Sequence, residues 1–378
     1  MRFDRREFLA ASVAATAAVC QSRLSGAQSV ASSEASKLGI PGPYPGRVVA
    51  VSHPGSIIDD TFQSEPIGEM IARGMMELTN GESPEEAWRE FFEPGDVVGI
   101  KLNPVGQPSV ISSAETVRAI IAGLESAGVK RQDIVAFDRY RDQFINAGFD
   151  TWLPEGVRWA SASEKYLNIQ MDMDGYDPDV YLDIPLVHPD YAPDYRLDDP
   201  HIRRSYVAKF LTRDVNKIIN LCLLKHHQSA GVTLALKNLS HGLVNNVNRS
   251  HVSTTANACG IFIPAVVDLP VIREKVVLNI MDGVKAAYHG GPGGTVQHYA
   301  WEHKTMYFGT DPVAMDKTGW KAIDKKRIEV GRLPIATMKP DEHSQWLNGQ
   351  VEHIELAGNM GLGVYDDAKI ELRRIDLA

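Results

Sequence analysis

The stretch Lys217-Ile218-Ile219-Asn220-Leu221-Cys222-Leu223-Leu224 is a near-continuous apolar run, the pattern of a strand covered on both faces. Such a strand needs helices above and below it, so it points to an α/β architecture. Other segments agree: Val48–Val51, Val97–Leu102 and Ile134–Phe137 read as buried strands, and later ones fall at Val276–Met281 and Thr305–Phe308. Helical patterns alternate with them. One lies within Phe62–Leu78, and a second opens at Ser83-Pro84 with proline at its first position. A third runs from a capping box of Ser112 and Glu115 to Gly128, its apolar face made by Val117, Ile120, Ile121 and Leu124. A fourth spans Asp311–Ala322, with Asp311 as cap. The expected fold is α/β and two-lobed, with parallel or mixed sheets flanked by helices and a cleft between the lobes. The first lobe is 47–150 and the second 206–378; between them, 151–205 is rich in Asp, Tyr and Pro and reads as an insertion or lid.

The N-terminus combines Asp4-Arg5-Arg6-Glu7-Phe8-Leu9, a mildly apolar Ala/Val stretch to Val19, and Ser25-Gly26-Ala27 as a small-residue cleavage site. This predicts a twin-arginine signal peptide over 1–27, followed by a flexible Ser/Ala- then Pro/Gly-rich tether over 28–46. The expected partner is the twin-arginine translocase, and the expected location is periplasmic or otherwise extracytoplasmic, reached already folded. Proteins on that route commonly take up a cofactor first. The apolar stretch is too short to span a bilayer, so no stable membrane span is expected after cleavage. With 378 residues, 44% hydrophobic and 23% charged, the chain is long enough for real cores. Its net charge of −9 argues against nucleic acid as a partner. Of three cysteines, Cys20 lies in the leader; Cys222 and Cys259 permit one disulfide at most and have no metal-binding spacing.

Ligands of open α/β sheets sit beyond the carboxyl ends of the strands. Here those ends carry Asn103, Asp138-Arg139, Lys225-His226-His227, Asp282-Gly283 and Thr310-Asp311. The richest segment runs from Lys225 to His251 as strand, small-residue turn and helix. Ala230-Gly231 permits close approach of a ligand or another backbone, and the helix from about Val232 offers free N–H groups to an anion. Lys237 and His241, four apart, share a helix face. His226 and His227 are fit to exchange protons or bind a metal, and a partly buried lysine to act as nucleophile or tether. A solvated or structurally hydrogen-bonded role for each histidine stands beside these. The loop Tyr288-His289-Gly290-Gly291-Pro292-Gly293-Gly294 reads either as a backbone cradle for phosphate or carboxylate or as a mobile turn. There is no P-loop, HExxH, G-x-S-x-G elbow or complete dinucleotide fingerprint.

The segments Leu223–His227, Ala235–Leu239 and Gly309-Thr310-Asp311-Pro312-Val313-Ala314-Met315-Asp316, with the twin-arginine leader, resemble the family numbered 362 among domains of unknown function, over about Val97 to Gly363. Several of its members carry ferredoxin-type cysteines, which this sequence lacks. In addition, His227-Gln228-Ser229-Ala230-Gly231 followed by Lys237 is similar to the His-x-x-Ala-Gly turn and downstream lysine of the nickel-pincer lactate racemases. That resemblance implies an acid/base role for His227, a covalent hold on the cofactor by Lys237 and nickel ligation by His251. It departs in the first lobe, where Asn103-Pro104-Val105-Gly106 replaces the racemases' Asp-His-Thr-Arg turn and Asp138-Arg139 stands near their second acid/base histidine, so two-base racemisation does not carry over.

The sequence therefore leads to an enzyme acting on a small polar or anionic ligand. Its expected catalytic residues are His227, Lys237 and Asp138. A cofactor is expected at Lys225, Gly231, Lys237, Gly290 and Gly291, and a divalent transition metal at His251, His226 and Asp282. The alternative is a non-catalytic periplasmic protein that binds a solute or metal.

Overall fold

A computed structural model describes residues 37–191, 198–252, 257–345 and 349–378. The expected leader, and the tether up to residue 36, lie outside the described residues. The apolar run from Lys217 becomes β9 (Lys217–His227), an interior strand buried almost throughout. The strands in chain order are β1 (Arg47–Ser52), the hairpin β2 (Ile57–Ile58) and β3 (Thr61–Phe62), β4 (Val98–Lys101), β5 (Ile134–Phe137) and β6 (Arg158–Ala160). Then come β7 (Tyr176–Asp183), β8 (Arg204–Ala208), β9, β10 (Gly231–Val232), β11 (Val276–Ala287), β12 (Ala300–Gly309) and β13 (Glu371–Asp376).

Nine of these strands form one mixed sheet in the order β13-β1-β12-β11-β9-β4-β5-β6, with β10 folded back onto β9. The run β11, β9, β4, β5, β6 is parallel, whereas β12 is antiparallel to both β11 and β1. Strands assigned from sequence to the two lobes thus share a sheet, because β4 hydrogen-bonds β9 directly, with Val98 opposite Lys217. Within 151–205, β6 joins the main sheet beside β5, and β7 pairs antiparallel with β8 as a separate two-stranded sheet.

The helices cover the sheet through the predicted faces. Helix Ala114–Ser126 buries Val117, Ile120, Ile121 and Leu124 at 2% exposure or less, each contributing about 1.5–3 kcal/mol relative to an exposed side chain. Its cap is Ser113, one residue later than predicted, because the Ser112 hydroxyl instead accepts the Asn103 N–H. Beside it, Trp88, Phe91 and Phe92 pack into the main core. Residues 37–46, predicted as tether, are packed: the Ile40 N–H donates to the Arg273 carbonyl and the Gly46 N–H to Asp311. Cys222 and Cys259 are both buried and free. Among the described residues no helix is long and apolar enough to cross a membrane.

Candidate functional site

Because β4, β5 and β9 run parallel, their carboxyl ends open on the same edge of the sheet. A cavity of about 420 Å³ lies there, lined by Lys101, Asn103, Asp138, Arg139, Lys225, His227, Lys237, His241 and His251, with Tyr166 and His188 from the 151–205 segment. Side chains alternate along a strand, so Lys225 and His227 face the cavity together. His226 points the other way, where its ring packs 5.1 Å from that of His289.

The helix Leu234–Leu243 brings Lys237 and His241 to the same hollow, four residues apart on one face. Its position is fixed by a chain of buried amides: Asn279 accepts from Asn220, Asn220 from Asn238, and Asn238 from Asn103, at 2.8–3.0 Å. These bonds tie β11, β9, the helix and the loop after β4 together. The helix N-terminus is not an anion site. Asp316 already accepts the Ala235 and Leu236 N–H groups at 2.6 and 3.0 Å, and Leu234 enters the helix with a left-handed φ of 41°.

The charges in the hollow differ in their partners. Lys101 and Asp138 form a buried ion pair at 2.7 Å, and Asp138 also accepts the Tyr140 N–H. Arg139 donates to the Val244 carbonyl and the Tyr140 hydroxyl. Lys225 is held by the Asn103 side chain and the Val105 carbonyl. Lys237, 6% exposed, has no hydrogen-bond or ion-pair partner for its amine among the described residues. Burial, with Arg139 adding to it, lowers Lys237 to about 8; burial and the neighbouring Lys237 and Lys101 lower Lys225 to about 7.

His227, His241 and His251 are held neutral. Burial holds His227 and His241 well below the usual histidine range and brings His251 to about 3, with the Lys237 charge adding to each. His227 Nδ1 faces the N–H groups of Ser229 (3.2 Å) and Ala230 (3.3 Å) and the Ser229 hydroxyl (3.0 Å). A nitrogen facing two N–H donors has to be an acceptor, so the ring proton sits on Nε2. His227 is therefore built to present a donor to the cavity, the acid form of the acid/base role expected for it. The His251 ring stacks 5.9 Å from His227 and lies 5.1 Å from His241, and His251 Nδ1 is buried without a partner among the described residues.

Of the predicted site residues, His227, Lys237, Asp138, Lys225 and His251 line one hollow. The others do not join them. Asp282 lies inside β11, which continues to Ala287, and its carboxylate accepts from Thr116 and Val284; burial raises it to about 6. His226, Asp282 and His251 thus do not assemble as a ligand set, and among the described residues no group of three His, Cys, Asp or Glu is arranged to hold a metal ion. The glycines serve the protein's own packing. A Cβ at Gly231 would collide with Val351, one at Gly291 with the His226 carbonyl, and one at Gly290 would lie 2.8 Å from the Tyr299 ring. Thr310-Asp311 is at the opposite edge, since β12 is antiparallel; Asp311 caps the helix Pro312–Glu329. The three residues that the pincer resemblance singles out, His227, Lys237 and His251, all line the hollow. In place of its second acid/base histidine stand an ion-paired Asp138 and Arg139.

The sequence reading passed over Lys101, Tyr166 and His188. Lys101 is the last residue of β4, at a strand end like the others and so within reach of the same argument. Tyr166 and His188 come from a segment with no periodic pattern to place them.

No curated protein matches this sequence significantly. A crystallised protein from Thermotoga maritima is similar in structure at a TM-score of 0.34 and 12% identity, over 60% of this chain and 51% of that one. The chain therefore spans about half the length of that protein. A loganic acid methyltransferase solved with SAH gives 0.26 and 10%, over 79% and 70%. Both likenesses are too distant to carry an argument. Residues 98–321, which hold β4, β5, β9 and the whole helix bearing Lys237, match the family described as Domain of unknown function (DUF362), and the chain belongs to that family.

Proposed function

We propose that this protein is an exported enzyme acting on a small anionic metabolite, which binds where β4, β5 and β9 end. Lys237 carries the reading. Its amine opens onto the cavity and meets no hydrogen-bond or ion-pair partner among the described residues, beside Arg139 and Lys225, while Asp138, the one carboxylate that the described residues bring to the cavity wall, is committed to Lys101. A cation held in a largely desolvated hollow without a counter-charge is costly, and a ligand's negative charge would complete this one. Lys237 and Arg139 hold the anion, Lys225 adds positive potential while it is protonated, and His227 donates its Nε2–H to a substrate oxygen. His241 and His251 line the hollow as neutral rings. The Arg5-Arg6 leader supports export in the folded state by the twin-arginine translocase.

The test is a thermal-shift screen of the purified protein with small carboxylates, phosphates and sugars. An anion at one hundred times its Kd is expected to add about 2.7 kcal/mol, and Lys237→Ala to abolish the response. If no anion stabilises the protein, or Lys237→Ala responds as the wild type does, the reading fails. Stabilisation by an anion that the protein never converts would favour a periplasmic solute-binding protein.

A further inference from the structure

We infer that Lys237 is a nucleophile that forms a Schiff base with the carbonyl group of a small anionic carbonyl compound held in this hollow. The inference rests on the anion-binding reading above and adds a covalent bond to it.

Three buried lysines line the cavity, and only one is available. Lys101 is consumed by its ion pair with Asp138 and Lys225 by its bonds to Asn103 and Val105, whereas the Lys237 amine meets no acceptor among the described residues. Attack on a carbonyl needs the free amine, and desolvation beside other cations is the arrangement that supplies it. With Lys237 near 8, a substantial fraction is unprotonated at mildly alkaline pH. The second requirement is a donor that polarises the carbonyl without removing the ligand's charge. His227 meets it as a neutral ring, since the Ser229 and Ala230 N–H groups hold Nδ1 as acceptor and leave Nε2–H to face the cavity. The third is a fixed cation for the ligand's acidic group, and Arg139, braced by Val244 and Tyr140, provides it.

The step balances without an oxidant or reductant. The Lys237 nitrogen bonds to the carbonyl carbon, the carbon–oxygen bond breaks, and the oxygen leaves as water with the two amine hydrogens. Either a carboxylate or a phosphate can supply the anion, so the probes separate them.

The full-length protein is incubated with one probe at a time, pyruvate, 2-oxoglutarate or glyceraldehyde 3-phosphate, reduced in its presence with sodium borohydride, and read by intact mass and peptide mapping. The expected result is a single reduced adduct on Lys237 with at least one probe, absent from a Lys237→Arg variant that melts cooperatively. An adduct with an oxo acid alone assigns the anion as carboxylate, and with the phosphate probe alone as phosphate. Stabilisation by a probe with no Lys237 adduct overturns the inference and leaves anion binding standing. Labelling that persists in Lys237→Arg also overturns it, as does a mass already attached to Lys237 in the untreated protein, which indicates a preloaded cofactor. If no probe stabilises the protein or labels Lys237, this inference and the anion-binding reading fall together.

Discussion

Replacing Lys237 by methionine is expected to make the protein more stable at pH 7. Methionine keeps the unbranched stem that packs in the cavity wall and removes the charge. The folded protein holds Lys237 near 8, through burial and the Arg139 charge, against 10.5 for an ordinary lysine. Between those values the unfolded chain binds more protons than the folded one, so this lysine makes stability rise with pH across that window. Below pH 8 both states carry the charge and its full burial cost is present. The interval from about 8 to 10.5, at about 1.4 kcal/mol per pH unit, amounts to about 3 kcal/mol. That is a large share of the 5–15 kcal/mol stability usual for a folded protein. Urea denaturation of wild type and Lys237→Met at pH 7, 8.5 and 10.5 reads the difference directly, and groups that titrate alike in both proteins cancel. The variant is expected to be ahead by about 3 kcal/mol at pH 7, with the gap closing as the pH approaches 10.5. A variant less stable than wild type at pH 7, or a gap that does not change with pH, would show that Lys237 is a structural group and remove the basis of the functional reading.

Two other outcomes follow from the same charges. Lys101→Met leaves Asp138 buried without its partner and is expected to cost about 3–5 kcal/mol, most of it recovered in Lys101→Met/Asp138→Leu; additive losses in a urea double-mutant cycle would deny the ion pair. Lys237 adds to the affinity for an anion while it is charged, Arg139 holding the anion throughout, so in calorimetry the affinity is expected to fall as pH rises above about 8, by up to tenfold per pH unit, with proton uptake on binding. A profile flat from pH 6.5 to 9.5 contradicts this.

Much of the fold was legible because it depends on short-range patterns. β5 has the predicted limits, and the helix face of Val117, Ile120, Ile121 and Leu124 is buried where its spacing put it. For the same reason Lys237 and His241 were expected on one helix face, and both line the cavity. Period-two alternation also separates His227 from His226 in a strand, although adjacency in the sequence had grouped them as one functional pair. The errors at Asp282 and Thr310-Asp311 have a different origin. Assigning residues to the functional edge of a sheet requires strand length and direction, and β11 runs five residues past Asp282 while β12 turns out antiparallel.

What local sequence determined here is which residues form strands and helices and which chemical groups gather between Lys225 and His251, because periodicity, caps and composition act within a few residues. What required the folded chain is the pairing of each group: Lys101 with Asp138 across 37 positions, Asp316 on the start of the Lys237 helix across 80 and 81, and Gly291 against the backbone at His226 across 65. Such contacts are set by strand order and by competition for buried partners. The same competition pairs Lys101 and Lys225 and leaves the Lys237 amine without a partner among the described residues.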